Sequence, residues 1–338
     1  MRFGIIGTGR ISEWVLKGAF YDPRFTAVAI CSRTEEKAHL FASQYGIPFT
    51  FTSVEELASC PSVDAVYIGT PNSTHARMAI TCMEHGKHVL VEKPFAANAR
   101  EAREMAECAR RNNVVLMEAM ISTLSNNFRE VLNRMPSLGE IRGWSSTFCQ
   151  YSKKFELLRD GILATSFNPA FAGGATMDIG TYTIYPMVVL FGMPTAVDAH
   201  LLTLPVPETG EPIDYQGSVM FDYPGMSASV QYSKAIDSFL PTEIRGTQAN
   251  LILDRIHICR KLKFAPYHEP TSGRMPLPKP QKITRPLEPD PYLSEFTEFM
   301  DVVYSGRRES EINSLDNSVA VMEILDEIRR QGGVSIER

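Results

Sequence analysis

The stretch with the most chemistry to offer is Glu92-Lys93-Pro94. Val89, Leu90 and Val91 follow the turn signal Gly86-Lys87 and read as a buried strand that ends in a carboxylate, an ammonium and a proline. Open α/β sheets carry their chemistry at strand ends, and Pro94 bars Lys93 from helical geometry. A lysine there can be held against a ligand, or it can be half of an ordinary surface Glu-Lys pair. A second constellation lies in Gly173-Gly174-Ala175-Thr176-Met177-Asp178-Ile179-Gly180-Thr181-Tyr182. Two glycines open a helix that continues through Ile184, Met187 and Leu190, so Asp178 and Tyr182, at i and i+4, share one face. That face, with Gly180 beside it, suits close packing by another group; a core helix with a buried, satisfied tyrosine gives the same pattern.

The elements that must position these residues begin at the N-terminus. Residues 3 to 12 form a short apolar strand and then G-x-G-x-x-S, followed by the helical pattern of Trp14, Val15, Leu16 and Phe20. This is the dinucleotide fingerprint with strand before and helix after. Gly7 permits the tight turn, Gly9 lets the backbone approach a pyrophosphate, and Ser12 replaces the third glycine with slight widening. The next strand, Ala27 to Cys31, ends where an NAD-specific fold places an acid, but the residues are Ser32 and Arg33. A hydroxyl and a guanidinium suit a 2'-phosphate, which predicts NADP over NAD, unless Arg33 is only solvated. Strand Ala65 to Ile68 leads to Gly69-Thr70-Pro71-Asn72-Ser73-Thr74-His75, where Asn72 and Ser73 can bond or cap and His75 faces either ligand or solvent. Strand Val114 to Met117 closes with Glu118-Ala119-Met120, so three strand ends offer polar groups on one side of the sheet.

Alternating strands and helices make residues 1 to 121 an α/β Rossmann domain with a doubly wound, mostly parallel sheet. Residues 122 to 338 read as an α+β domain with a large open, mainly antiparallel sheet. Its strands are expected at Glu140 to Tyr151, Val197 to Leu204, Gln216 to Tyr223, Ser227 to Tyr232, Glu243 to Gly246, Asn250 to Leu253 and Ile256 to Phe264. They have the spacing of a meander with one face covered by helices and the other by a partner subunit. Eight prolines between 265 and 291 imply a surface excursion whose Arg274, Lys279, Lys282 and Arg285 are solvated. Helices Tyr292 to Tyr304 and Leu315 to Gln331 close the chain, the last expected to pack back near the first domain.

Composition excludes several classes. A net charge of -5 argues against nucleic acid or an anionic membrane as partner. No apolar run approaches the roughly 20 residues of a membrane span, and the N-terminus lacks a signal-peptide layout, so the cytosol is expected. Six cysteines without a C-x-x-C suggest neither zinc nor disulfides, and no metal is expected.

Taken together, G-T-G-R-I-S at 7 to 12, T-P-N-S-T-H at 70 to 75, E-K-P at 92 to 94 and G-G-A-T-M-D-I-G-T-Y at 173 to 182 resemble the glucose-fructose oxidoreductase / inositol dehydrogenase / MocA family, along almost the whole chain. Within it the chain looks most like the dimeric dihydrodiol dehydrogenase (NADP-dependent D-xylose dehydrogenase) branch. The resemblance implies that Lys93 is the catalytic lysine, with Tyr182 as acid/base group beside it and Asp178 as the aspartate of the same helix. It implies a cofactor held by Gly7, Thr8, Gly9, Arg10, Ile11, Ser32, Arg33, Thr70, Pro71, Asn72, His75, Glu92, Lys93 and Met120. Glu92 either contacts the cofactor ribose or only orients Lys93. A neighbouring ammonium would make the phenol a better base. The expected activity is NADP-dependent hydride transfer on a sugar, polyol or trans-diol substrate. The rivals are a catalytically silent NAD(P)-binding regulator and a structural interaction module that binds no nucleotide. One departure stands out: Met120-Ile121-Ser122-Thr123-Leu124-Ser125 lacks the aromatic and the arginine usual in that branch, so the relatives' substrates do not transfer.

Overall fold

The computed structural model describes residues 1–267 and 278–336. Its first sheet has six parallel strands in the order β3-β2-β1-β4-β5-β6. These are β1 (Arg2–Ile6), β2 (Thr26–Cys31), β3 (Phe49–Phe51), β4 (Ala65–Ile68), β5 (His88–Glu92) and β6 (Leu116–Ala119). The crossovers are α1 (Arg10–Ala19), α2 (Glu35–Tyr45), α3 (Val54–Ser59), α4 (His75–Glu84) and α5 (Ala99–Asn112). Every residue of β4 and β6 is buried, as parallel strands covered by helices on both faces must be. Thr34, Ser53 and Asn98 each accept a first-turn N–H and so fix the starts of α2, α3 and α5.

After α6 (Ile121–Leu124) and α7 (Asn126–Arg134) comes an eight-stranded sheet, ordered β14-β13-β12-β11-β7-β10-β9-β8. Its strands are β7 (Ile141–Cys149), β8 (Ala196–Pro205), β9 (Pro212–Tyr223), β10 (Met226–Ser233), β11 (Thr242–Gly246), β12 (Ala249–Leu253), β13 (Leu262–Pro266) and β14 (Gln281–Lys282). Helices α8 (Lys153–Arg159) and α9 (Thr181–Phe191) interrupt them. The sheet is mostly antiparallel, yet it is not a meander, because β10 runs parallel to β7 in its centre. The strand expected over Ile256 to Phe264 is also shorter. Asp254 Oδ1 accepts the backbone N–H of Arg260 and of Lys261, both at 2.9 Å, and this turns the chain before Leu262.

The segment before α9 departs from ideal helix too. Thr176–Gly180 is one π-helical turn, a form that recurs at functional sites. Gly174 has φ +113°, and a Cβ there would lie 2.2 Å from Asp214 Oδ1. Asp214, fully buried, in turn accepts from the Thr176 N–H at 2.6 Å and the Thr176 hydroxyl at 2.7 Å. Within the proline-rich stretch, residues 268–277, which include Arg274, lie outside the described residues. β14 is an edge strand, where proline neighbours are tolerated. Arg285 is not simply solvated: it pairs with Glu130 at 2.6 Å.

The two closing helices, α10 (Leu293–Tyr304) and α11 (Leu315–Gln331), both return to the first sheet. Phe296 of α10 packs on Phe3, Phe25 and Tyr67, with ring centroids 5.3, 5.1 and 5.9 Å apart. The α11 helix is tied to α5 by Arg103–Glu323 and Arg110–Asp316, and Asp326 accepts the Ala99 N–H at 2.8 Å. Phe296→Ala is expected to cost about 3–5 kcal/mol, read as a lower urea midpoint of the full chain.

Candidate active site

The first turn has a shape only glycine allows. Gly7 has φ +108°, and a Cβ on it would lie 2.4 Å from the Gly69 carbonyl oxygen. Ser12 fits in place of a third glycine because the residue opposite is itself glycine: a Cβ on Gly69 would be 2.9 Å from Ser12 Oγ. A Cβ on Gly9, by contrast, would meet nothing within 4 Å, and no side chain caps the ten-residue α1. Thr8, Gly9, Arg10 and Ile11 thus leave the first amides of α1 open to an anion, as a dinucleotide pyrophosphate requires. At the end of β2, Ser32 Oγ is 3.2 Å from Thr8 Oγ1 and Arg33 is exposed beside them.

Other expected cofactor residues sit differently. His75 is fully buried, with Nδ1 3.0 Å from the Pro94 carbonyl oxygen and Nε2 2.9 Å from that of Thr70. It faces neither solvent nor ligand; it braces the Thr70 turn against the loop after Lys93. Burial lowers its pKa against these carbonyl contacts, which raise it, and a neutral ring donates to only one of the two oxygens. Asn72 Nδ2 donates to the Ala172 carbonyl at 2.9 Å, tying the first domain to the second, while Pro71 is exposed. Met120 has no exposed surface and belongs to the main core, not to an open cofactor surface. Glu118, expected to offer its carboxyl at a strand end, is only 1% exposed, and burial pushes its pKa up to about 8. Glu92 turns inward as well. It accepts from the Tyr67 hydroxyl at 2.8 Å and from the Lys93 N–H at 3.2 Å, contacts that hold the Lys93 backbone.

Lys93 itself leaves the end of β5 toward the second domain. Its Nζ donates to the Asp178 carbonyl at 2.7 Å and to Asp178 Oδ1 at 3.2 Å, and sits 4.9 Å from the centroid of the Tyr182 ring. The other oxygen of Asp178 accepts from Lys234, just past the end of β10. Burial works against ionising Asp178, but the charges of Lys93 and Lys234 outweigh it and hold the carboxyl far below the usual range.

Sequence reasoning missed Lys234, although its signal resembles that of Lys93: an alternating apolar strand, Ala228 to Tyr232, that ends in a lysine. The phenol differs from expectation. The ammonium lies over the Tyr182 ring face, and the Tyr182 pKa is raised by burial and by Glu92, Glu295 and Asp178. These influences favour the neutral phenol.

Beside Tyr182 a wall forms that the sequence did not announce. Phe148 of β7 stacks on His257 with centroids 4.1 Å apart and planes 11° apart, and its edge meets Tyr182 at 5.5 Å. His257 comes from the turn shaped by Asp254, and with Ile121, Ser125, Arg260 and Glu288 it lines a cavity of about 170 Å³. Burial, and then the Arg255 charge, lower the His257 pKa from the ordinary 6.5 to about 4. Its unfolded form therefore binds a proton at higher pH than its folded form does. This contribution makes stability fall as pH drops from about 6.5 toward about 4. His257→Phe, which keeps the stack on Phe148, is expected to flatten the pH dependence of Tm in that window relative to the parent protein.

Residues 1–120 match the model of an oxidoreductase family with an NAD-binding Rossmann fold, and residues 134–252 match the GFO/IDH/MocA C-terminal domain. The chain is 35% identical over 334 residues to scyllo-inositol 2-dehydrogenase (NADP(+)) IolU of Bacillus subtilis, covering 99% of this chain and 98% of that one. It is 30% identical over 347 residues to mouse trans-1,2-dihydrobenzene-1,2-diol dehydrogenase, with 99% and 98% covered. The fold matches a levoglucosan dehydrogenase solved with NADH and levoglucosan, with a TM-score of 0.83 at 21% identity and 98% and 97% of the two chains covered. With both halves matched in order along one chain, this protein belongs to the GFO/IDH/MocA oxidoreductase family.

Proposed function

We propose that this protein is an NADP-dependent dehydrogenase of a sugar, polyol or related small hydroxy compound, with residues 1–121 carrying the cofactor and 122–338 shaping the substrate site. The observation that carries the reading is the meeting of Lys93, from the cofactor-binding sheet, with Asp178 and Tyr182 of the second domain. NADP is favoured because Ser32 and exposed Arg33 stand where a 2'-phosphate would lie, and because the similar Bacillus protein is named for NADP(+). The nicotinamide supplies or accepts the hydride. Lys93 supplies positive charge to the substrate oxygen that gains negative charge, and Tyr182 delivers the proton to that oxygen in the reductive direction. Phe148 and His257 present an aromatic and a neutral imidazole to the substrate side, in place of the arginine that the branch usually carries after Met120. The outer face of the second sheet, where Ser145, Ser229 and Arg245 bond one another around half-exposed Met220, is the expected contact with a second subunit.

A panel of inositols, aldoses and trans-diols with NADP+ tests the reading; tight NADP binding with no turnover on any of them favours a regulator instead. Lys93→Ala should lower turnover by several orders of magnitude while NADP still binds, and near-normal turnover would remove Lys93 from the mechanism. Tyr182→Phe deletes only the hydroxyl and should cost about 10²-fold or more in the reductive direction. Arg33→Ala should cut NADP affinity about tenfold or more and leave NAD affinity unchanged, as loss of a charge-assisted bond implies.

A further inference from the structure

We infer that Lys234 is a positioning residue for this reaction: by holding one oxygen of Asp178 it prevents that carboxylate from neutralising Lys93, and so keeps the Lys93 charge available to the substrate oxygen. The inference rests on the reading of Lys93 given above. One carboxylate stands between two ammoniums, Oδ1 on Lys93 at 3.2 Å and Oδ2 on Lys234, so the three groups together carry one net positive charge. Their exposures differ in a useful way. The Lys234 side chain is 6% exposed, that of Lys93 15% and that of Asp178 34%. Lys234 lies behind the other two, with Nζ 5.4 Å from the centroid of the Phe167 ring, and its visible hydrogen bond goes to Asp178. It is therefore placed to act through Asp178 and not on the substrate.

A carboxylate that loses one ammonium gains freedom to turn both oxygens to the other. Lys93 would then spend its charge on Asp178. The penalty falls on negative charge that develops only as the substrate oxygen reacts, so it belongs in kcat and not in KM.

The test uses the full chain as Lys234→Met, Lys234→Arg, Asp178→Asn and the double variant Asp178→Asn/Lys234→Met. NADPH affinity, kcat and KM on the best substrate of the panel, and a crystal structure of Lys234→Met are measured. The expected result for Lys234→Met is NADPH affinity within about twofold, kcat lower by about tenfold or more and KM within about threefold. Lys234→Arg should recover most of the loss. In the Asp178→Asn background the same Lys234→Met change should cost little, because no carboxylate is left to compete for Lys93. If Lys234→Met alone fails to fold, Lys234→Gln, uncharged but polar, is measured in its place with the same expected outcomes.

Unchanged kcat in Lys234→Met, a loss confined to KM, an equal loss in both backgrounds, or an unmoved Asp178 carboxylate in the variant structure would each overturn the inference. Failure of the underlying reading looks different: Lys93→Ala would stay active. If the parent protein turns over nothing on the panel, the position of the Asp178 carboxylate in the Lys234→Met structure decides alone.

Discussion

The site depends on one interaction that crosses the molecule, the ammonium of Lys93 donated from the end of β5 to Asp178 of the second domain. Charge removed from water needs compensation nearby, and here it is supplied by a carboxylate, a backbone carbonyl and an aromatic face together. The carboxylate and the carbonyl come from the π-turned segment that opens α9, and the ring from the first turn of α9 itself. That segment is fixed by Gly174 against Asp214 and by the Tyr232 hydroxyl 2.8 Å from Thr176 Oγ1. Behind Lys93, the His75 brace and the inward Glu92 hold the strand end in place. The chemistry is thus positioned by buried backbone and polar contacts on both sides of the domain junction, while the cofactor turn at Gly9 is left open.

Much of this was legible in the chain. Gly7 and Gly9 announce a turn whose geometry forbids other residues at one and leaves open space at the other, and both functions are local. The strand end at Lys93 and the helical pair Asp178 and Tyr182 were readable for the same reason: short-range periodicity places them. What escaped depends on long-range packing. Lys234 becomes meaningful only when β10 lies parallel to β7 and brings its end to Asp178, a pairing that strand spacing does not specify. His257 hides inside what reads as a continuous strand, because alternation of apolar residues does not reveal that Asp254 will accept two N–H groups and fold the chain back. His75, Glu92 and Met120 have the right positions in their motifs, but the local pattern cannot say which way a side chain turns.

The electrostatics around Tyr182 give the arrangement a direction. Glu92 and Glu295 are both buried, and burial holds both above the ordinary carboxylate range, with repulsion from Glu92 and then Asp290 adding to it at Glu295. Their presence, with that of Asp178, also keeps the phenol protonated. An alcohol or carbonyl oxygen that gains negative charge among these carboxyls needs positive charge to stabilise it. Under the proposed function Lys93 supplies it, since the ammonium of Lys234 is committed to Asp178. Under that reading, the domain junction keeps one ammonium from being fully paired and so leaves it for the substrate oxygen.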